Sequence, residues 1–316
     1  MSPWNAPSHS EAAPPRKPRR RGLWIPWGLA AALAVGWSLA WVWMMGETQA
    51  RFDAAAAGLR AHGWHVSWRQ RHVGGYPFRL DVDLSDLTLT DPSGWGLRTP
   101  MLKTEAYAFA QTWVFFAPNG LVVTRPQGGA VNVTGSALRG SVSGWDHSPP
   151  DIALEGDDLT LMPPAGAAPV DLTAIRKLQA YTRPGPDDQG AAYLQIDAGQ
   201  PVPGGWLAQL GAPVDFKADI TFNHAIAFQT PGWRASLTNW AHAGGSVHLG
   251  HLDLTAGAQS FTGKAGNLTV ADTGFVVGQL QVSGGPAAHP QDLALQFHDG
   301  GAWLGPVKLQ PAPKLF

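Results

Sequence analysis

Eleven histidines and the aspartate pairs Asp81/Asp83 and Asp157/Asp158 are residues of this chain whose types could do chemistry. His242, His248 and His251 form the densest histidine group and His62, His65 and His72 the next, and imidazoles converging on one point would bind zinc. In a strand, His248 and His251 stand an odd number of positions apart and point to opposite faces. Surface and stalk positions are therefore expected for the histidines, and no metal site. Asp81 and Asp83 share one strand face, and Asp157 and Asp158 are adjacent. Like charges this close can raise one pKa, as acid-base catalysis requires, but a solvated strand face accounts for the first pair and a turn for the second.

Nucleophile and phosphate motifs fail on single residues. Gly140-Ser141-Val142-Ser143-Gly144 has Val where a nucleophile elbow needs Ser, and Gly244-Gly245-Ser246-Val247-His248 lacks the final Gly. Gly263-Lys264-Ala265 has neither the upstream Gly nor the hydroxyl of a phosphate loop. Cysteine is absent, which removes thiol catalysis, disulfides and Cys-ligated zinc. No basic stripe interleaved with aromatics follows residue 50, so nucleic acid is not an expected partner. The chain reads as a non-enzyme that needs no cofactor.

The element that positions everything else is Trp24 to Met45, which carries no charge and is bounded by Arg21 and Glu47. As a helix it covers roughly 33 Å, enough for a hydrocarbon core of about 30 Å. Arg16, Lys17, Arg19, Arg20 and Arg21 cluster just before it, so the positive-inside rule puts the N-terminus in the cytoplasm and the remainder across the membrane. Its far end is bulky (Trp41, Trp43, Met44), which disfavours signal cleavage; Thr48-Gln49-Ala50 is the best alternative site. Trp24 and Trp27 fall at the inner interface and Trp41 and Trp43 at the outer, as an aromatic belt. Gly28, Ala32, Gly36 and Ala40 recur every fourth residue and give one face small enough for a second helix to approach.

The expected organisation is a disordered tail over 1–22, a transmembrane anchor over 23–45, a stalk helix over 46–63 that stops at His62-Gly63, and a β-rich domain over 64–316. From Trp64 the apolar period becomes two. Phe78, Leu80, Val82 and Leu84 alternate with Arg79, Asp81, Asp83 and Ser85, then the phase slips at Asp86, which predicts a bulge or a turn. Asp86-Leu87-Thr88-Leu89, Asp158-Leu159-Thr160-Leu161 and Asn267-Leu268-Thr269-Val270 repeat one device at unequal spacing. Val214 to Phe222 alternates cleanly, Gly204 to Leu210 alone looks like a further helix, and 184–190 is either an internal boundary or a long hairpin loop.

Two blocks carry a family resemblance: Val73-Gly74-Gly75-Tyr76-Pro77-Phe78-Arg79-Leu80, and the run from Trp240-Ala241-His242-Ala243-Gly244-Gly245-Ser246-Val247-His248-Leu249 to Gly278-Gln279-Leu280-Gln281-Val282. With the anchor and Leu304-Gly305-Pro306-Val307, they resemble the proteobacterial family catalogued as domain of unknown function 2125. The resemblance implies an inner-membrane-anchored, periplasmic, β-rich protein without an assigned activity. More distantly the pattern looks like the β-groove of AsmA-type envelope proteins, which are associated with lipid movement. Val270-Ala271-Asp272 departs from the Leu-Asp pair usual in the family.

Tyr107, Phe109, Trp113, Phe115, Phe216, Phe222 and Trp240 are either an ordinary core or the lining of an apolar trough able to hold an acyl chain. The expected fold is mainly β, a curved antiparallel sheet or half-barrel behind a single-pass anchor. Expected partners are the inner membrane, lipid or another amphiphile, and envelope proteins. A lipid-binding envelope protein and a non-catalytic scaffold or assembly factor both remain open.

Overall fold

The computed structural model describes residues 24–107, 112–144, 147–230, 232–286 and 291–316. The chain opens with α1 (Ile25–Ala61), one unbroken helix of 37 residues that runs through both the anchor and the stalk segments. Pro26 sits in its first turn, where a missing N–H costs nothing, and Gly63 at φ 83° ends it beyond His62.

After α1 the chain is mainly sheet. β1 (His65–Ser67), β2 (Gln70–Gly74), β3 (Arg79–Thr90), β4 (Gly96–Tyr107), β5 (Trp113–Phe116), β6 (Leu121–Arg125), β7 (Gly129–Thr134), β8 (Ala137–Ser143), β9 (Asp151–Met162), β10 (Leu172–Pro184) and β11 (Gly190–Pro201) come first. After the short α2 (Trp206–Leu210) and β12 (Val214–Phe222) come a 3-10 turn (Ala225–Gln229) and α3 (Trp233–His242). β13 (Val247–Ala256), β14 (Gln259–Val270), β15 (Val276–Pro286), β16 (Gln291–His298), β17 (Gly301–Leu304) and β18 (Val307–Pro311) complete the chain.

These 18 strands form one antiparallel sheet in which the chain meanders from neighbour to neighbour. β1 and β2 lie end to end along β3, β5 and β6 together line β4, and β8 and β7 together line β9. From β9 onward each strand pairs with the next. Residues 184–190 are the turn of the β10–β11 hairpin, closed by the Pro184–Gly190 pair.

The phase slip read at Asp86 is neither a bulge nor a turn but a left-handed residue inside a strand that keeps its register, since pairing with β4 runs on from Ser85–Met101 to Leu87–Thr99. Asp86 adopts φ 50°, and Asp158, in the same Asp-Leu-Thr-Leu device, also adopts φ 50°. Asn267 shares the device's strand and exit turn but is not among the left-handed residues described. Each left-handed residue re-phases its strand without a change of register, so Leu87 returns to the side of Leu84, and Leu159 stays on the apolar side. Neighbouring strands break on the same line: β1–β2 near Arg69, whose guanidinium pairs with Asp86 at 2.7 Å, and β7–β8 at Ser136, whose hydroxyl donates to Asp158 at 2.9 Å. The β5–β6 break is held by buried Thr99, whose hydroxyl donates to the Gly120 carbonyl at 2.8 Å.

Buried apolar residues form four clusters strung along the sheet. Val82, Leu84 and Leu87 pack under Phe52 of α1, and Val131, Val133, Leu159 and Ile175 form the next cluster. Leu249, Leu280 and Val282 serve the C-terminal strands, while Leu237, Trp240 and Val270 pack under α3. α3 corrects the expectation that 204–210 held the one further helix. Its apolar residues Trp233, Leu237 and Trp240 keep helical spacing and seal the end of β12–β14. A strand step turns by ~20–25°, which over the pairings from β3 to β13 accumulates to roughly 180°. The α3 end of β12 and β13 thereby reaches the far end of β3, where the Trp233 backbone N–H donates to Asp91 at 3.3 Å.

The left-handed aspartates are a direct test of how the sheet keeps its phase. The Arg69–Asp86 pair is exposed, so Asp86→Gly is expected to shift stability by no more than about 0.5 kcal/mol. Asp86→Val and Asp158→Val, which place a β-branched residue at positive φ, are expected to cost about 1–3 kcal/mol each in urea unfolding followed by circular dichroism.

Candidate functional site

Residues paired across an antiparallel ladder lie on the same face, so the register defines a surface. One row runs Trp113, Val142, Ile152, Thr182, Ala192, Ile220, Leu249. The next runs Phe115, Gly140, Leu154, Ala180, Leu194, Ala218, Leu252, and a third runs Leu138, Gly156, Leu178, Ile196, Phe216, Leu254. From β5 to β12 the side chains of these rows are apolar except for the Thr182 hydroxyl and the Trp113 indole N–H. Most of their members are half-buried, and Leu154 is 52% exposed. Gly140 lets Leu154 lie across the sheet, because a Cβ there would stand 2.9 Å from Leu154 Cδ2.

The two ends of this face are covered and its middle is open. Phe52 of α1 lies against Trp113 with ring centroids 5.9 Å apart, and α3 closes the far end. At the β3–β4 turn the apolar side meets an aromatic cleft of about 430 Å³ lined by Trp64, Leu89, Asp91, Trp95, Gly96, Leu97 and Trp233. The Trp95 and Trp233 indoles both donate to the Leu315 carbonyl, at 3.2 and 2.8 Å, whereas the buried Trp64 Nε1 has no hydrogen-bond partner. Three tryptophans far apart in the sequence meet here. Their spacing gave no sign of it, because the twist of the whole sheet brings them together.

The opposite face is polar. Arg139 donates to Glu155 at 2.7 Å, the Tyr181 hydroxyl donates to the other Glu155 oxygen at 2.9 Å, and Gln179 donates to Tyr181 at 2.7 Å. The Tyr181 and Tyr193 rings stack at 6.0 Å, and Tyr193, Gln195 and Asp197 continue the ladder at 2.5 and 2.8 Å. The Tyr181 hydroxyl, then the Arg139 contact, lowers the Glu155 pKa; burial first, then Glu155, raises that of Tyr181.

Of the aromatic residues read as a trough lining, Phe115 and Phe216 stand on the open face, and Trp113 stands on the same side at its covered end, under Phe52. Phe222 lies under Phe228, and Trp240 is 2% exposed with its indole donating to the Asn223 carbonyl at 2.7 Å, so both serve the α3 core. Tyr107 ends β4 opposite Arg79, and Phe109 lies outside the described residues. On α1, Trp24, Trp27 and Trp43 are exposed, as are Gly28, Ala32, Gly36 and Ala40. Trp41 differs, being 9% exposed and held against the sheet. Among the described residues one helix, α1, is long and apolar enough to cross a membrane, and only 6% of its most apolar window is buried.

Histidines pair singly and apart: His242 with Asp272, His251 with Asp253, His248 with Asn267. Among the described residues no three His, Asp or Glu side chains converge. Asp81 and Asp83 stand on the polar side of β3, and in β9 Asp157 pairs with Lys177 while Asp158 adopts φ 50°.

A family model described as an uncharacterised protein conserved in bacteria, DUF2125, matches residues 41–288. No curated protein and no solved structure matches the chain.

Because Glu155 is held below its ordinary value of 4.5, the folded chain binds fewer protons than the unfolded one in that region. Its contribution to stability is present above pH 4.5 and is lost as pH falls through the lowered value. The difference in urea midpoint between wild type and Glu155→Gln is therefore expected to hold on the neutral side of that pH and to close on further acidification.

Proposed function

Since the chain belongs to the bacterial family DUF2125, we propose that it is a single-pass inner-membrane protein whose periplasmic sheet holds an acyl chain or a similar amphiphile on its open apolar face. The observation that carries this reading is the set of three register-aligned rows, apolar from β5 to β12 and left half-exposed between the covers formed by α1 and α3. A soluble sheet ordinarily buries such a face against a second layer.

Size agrees with the occupant. Strands lie ~4.8 Å apart, so the rows from β5 to β12 extend for roughly 24 Å, comparable with an extended long acyl chain. Each methylene moved from water onto such a surface contributes about 0.8 kcal/mol before the costs of ordering the ligand. Few polar groups are needed to orient an acyl chain, and these rows supply few. The basic cluster before α1 supports a cytoplasmic N-terminus and a periplasmic sheet. The likeness to AsmA-type β-grooves points the same way as an analogy of fold.

A scaffold role has one observation of its own. Among the described residues β17 is the strand whose register with β18 is defined, and Val307 and Leu309 on β18 are exposed, which suits the addition of a partner's strand.

Binding of a fluorescent fatty acid to the full chain in lipid nanodiscs separates the readings. Leu154→Glu and Leu194→Glu, which place charges in the middle row, are expected to weaken binding about tenfold, or ~1.4 kcal/mol. Gln195→Glu on the polar face is expected to leave it unchanged. Equal binding by all three variants, or none by the wild type, would remove the amphiphile reading.

A further inference from the structure

The turn between β2 and β3 is joined to α1 inside the charge-free run. Trp37 Nε1 donates to the Pro77 carbonyl at 2.8 Å, Trp41 Nε1 donates to the Arg79 carbonyl at 3.1 Å, and the Ser38 and Tyr76 hydroxyls are 2.9 Å apart. The Trp41 and Tyr76 rings meet edge to face at 5.4 Å, and Trp37 and Phe78 lie 6.4 Å apart. The outward sides of the turn are nevertheless bare: Tyr76 is 55% and Phe78 is 66% exposed.

Depth follows from the helix rise. If a hydrocarbon core of about 30 Å begins at Ile25, it ends near Met45, and Trp37 then lies ~12 Å below its outer edge. A turn that touches Trp37 and Ser38 cannot stay in bulk water while those residues are in the bilayer. Its composition fits lipid. Pro77 has no N–H, the Arg79 N–H donates to the Gly75 carbonyl at 2.9 Å, and the Pro77 and Arg79 carbonyls are satisfied by tryptophan indoles. Unpaired backbone groups are what the bilayer penalises most. Charge begins at Arg79, whose guanidinium is held on the strand side by Glu105 at 3.1 Å and Asp81 at 3.4 Å. Gly75, at φ 99°, is required for so tight a turn, since a Cβ would stand 2.5 Å from the Arg79 carbonyl oxygen.

We propose that Tyr76-Pro77-Phe78 is a second membrane contact, inserted into the outer leaflet beside α1, and that it plants the edge of the sheet on the lipid surface. This rests on the anchor reading of α1. It also gives the amphiphile a route. Arg79 pairs with Tyr107, and the next residue of β4, Ala106, pairs with Trp113, so the first apolar row begins within about one strand residue, ~3.3 Å, of the level of the turn. Lipid leaving the outer leaflet along the turn would reach the rim of the apolar side at Trp113, beside the Phe52 cover and next to the open rows.

The absence of cysteine makes the test direct. Single-cysteine forms of the full chain, Phe78→Cys, Leu39→Cys and Asp83→Cys, are labelled with an environment-sensitive dye and reconstituted in phosphatidylcholine–phosphatidylglycerol vesicles. We expect the dye at 78 to emit to the blue and to be quenched several-fold more by shallow spin-labelled lipid than by aqueous iodide, as at 39, with the reverse at 83. Lipid quenching at 39 together with iodide quenching at 78 would overturn the second contact and leave the anchor standing. Iodide quenching at 39 would overturn the anchor, and the second contact with it.

Discussion

Side chains on a strand alternate with a period of two, and a slip of one residue sends every following side chain to the wrong face. A sheet of 18 strands has to satisfy this at each pairing to keep one side apolar. At two lines across the sheet the device that does so is a single left-handed residue, Asp86 in β3 and Asp158 in β9, which re-phases the strand while the register with its neighbours is kept and the adjoining strands break on the same line. Asp tolerates that conformation better than most residues with a side chain, which is why the device is carried by aspartate where glycine is not used. Without it, Leu87 and Leu159 would face water and the apolar side would be divided in two.

One apolar side must then be covered or left open, and the chain does both. α1 uses its last turns as a cover, with Phe52 over Trp113 and Asp53 bound to Arg71 at 2.8 Å. α3 covers the other end, held by Trp240 and by the Trp233 link to Asp91. Neither helix reaches the strands between, and the rows through Leu154, Leu194 and Phe216 remain accessible. The same α1 carries the apolar run, and the Trp37 and Trp41 indoles tie that run to the β2–β3 turn.

Much of this was legible locally. The period-two pattern from Trp64 onward, the slip at Asp86, its echo at Asp158 and the stop at His62-Gly63 all correspond to features of the fold, because each depends on residues adjacent in sequence. The limits of β12 coincide with the clean alternation from Val214 to Phe222. What stayed hidden depends on long-range geometry. Trp41 reads as a lipid-facing belt residue until Tyr76 and Arg79 arrive beside it. Phe222 and Trp240 read as trough lining until α3, whose helical spacing was masked by the surrounding strand pattern, closes over them. The Trp64, Trp95 and Trp233 cleft requires the full twist of the sheet, which no window of sequence displays.

The reading depends on an amphiphile touching the apolar face while the chain sits in its own membrane. A photo-crosslinking residue placed singly at Leu154, Leu194 or Ile196 on that face, and at Glu155 or Gln195 on the other, can be activated in intact cells and the adducts identified by mass spectrometry. We expect lipid adducts at 154, 194 and 196 and not at 155 or 195. Lipid adducts equally frequent on both faces, or protein adducts alone on the apolar one, would contradict the assignment.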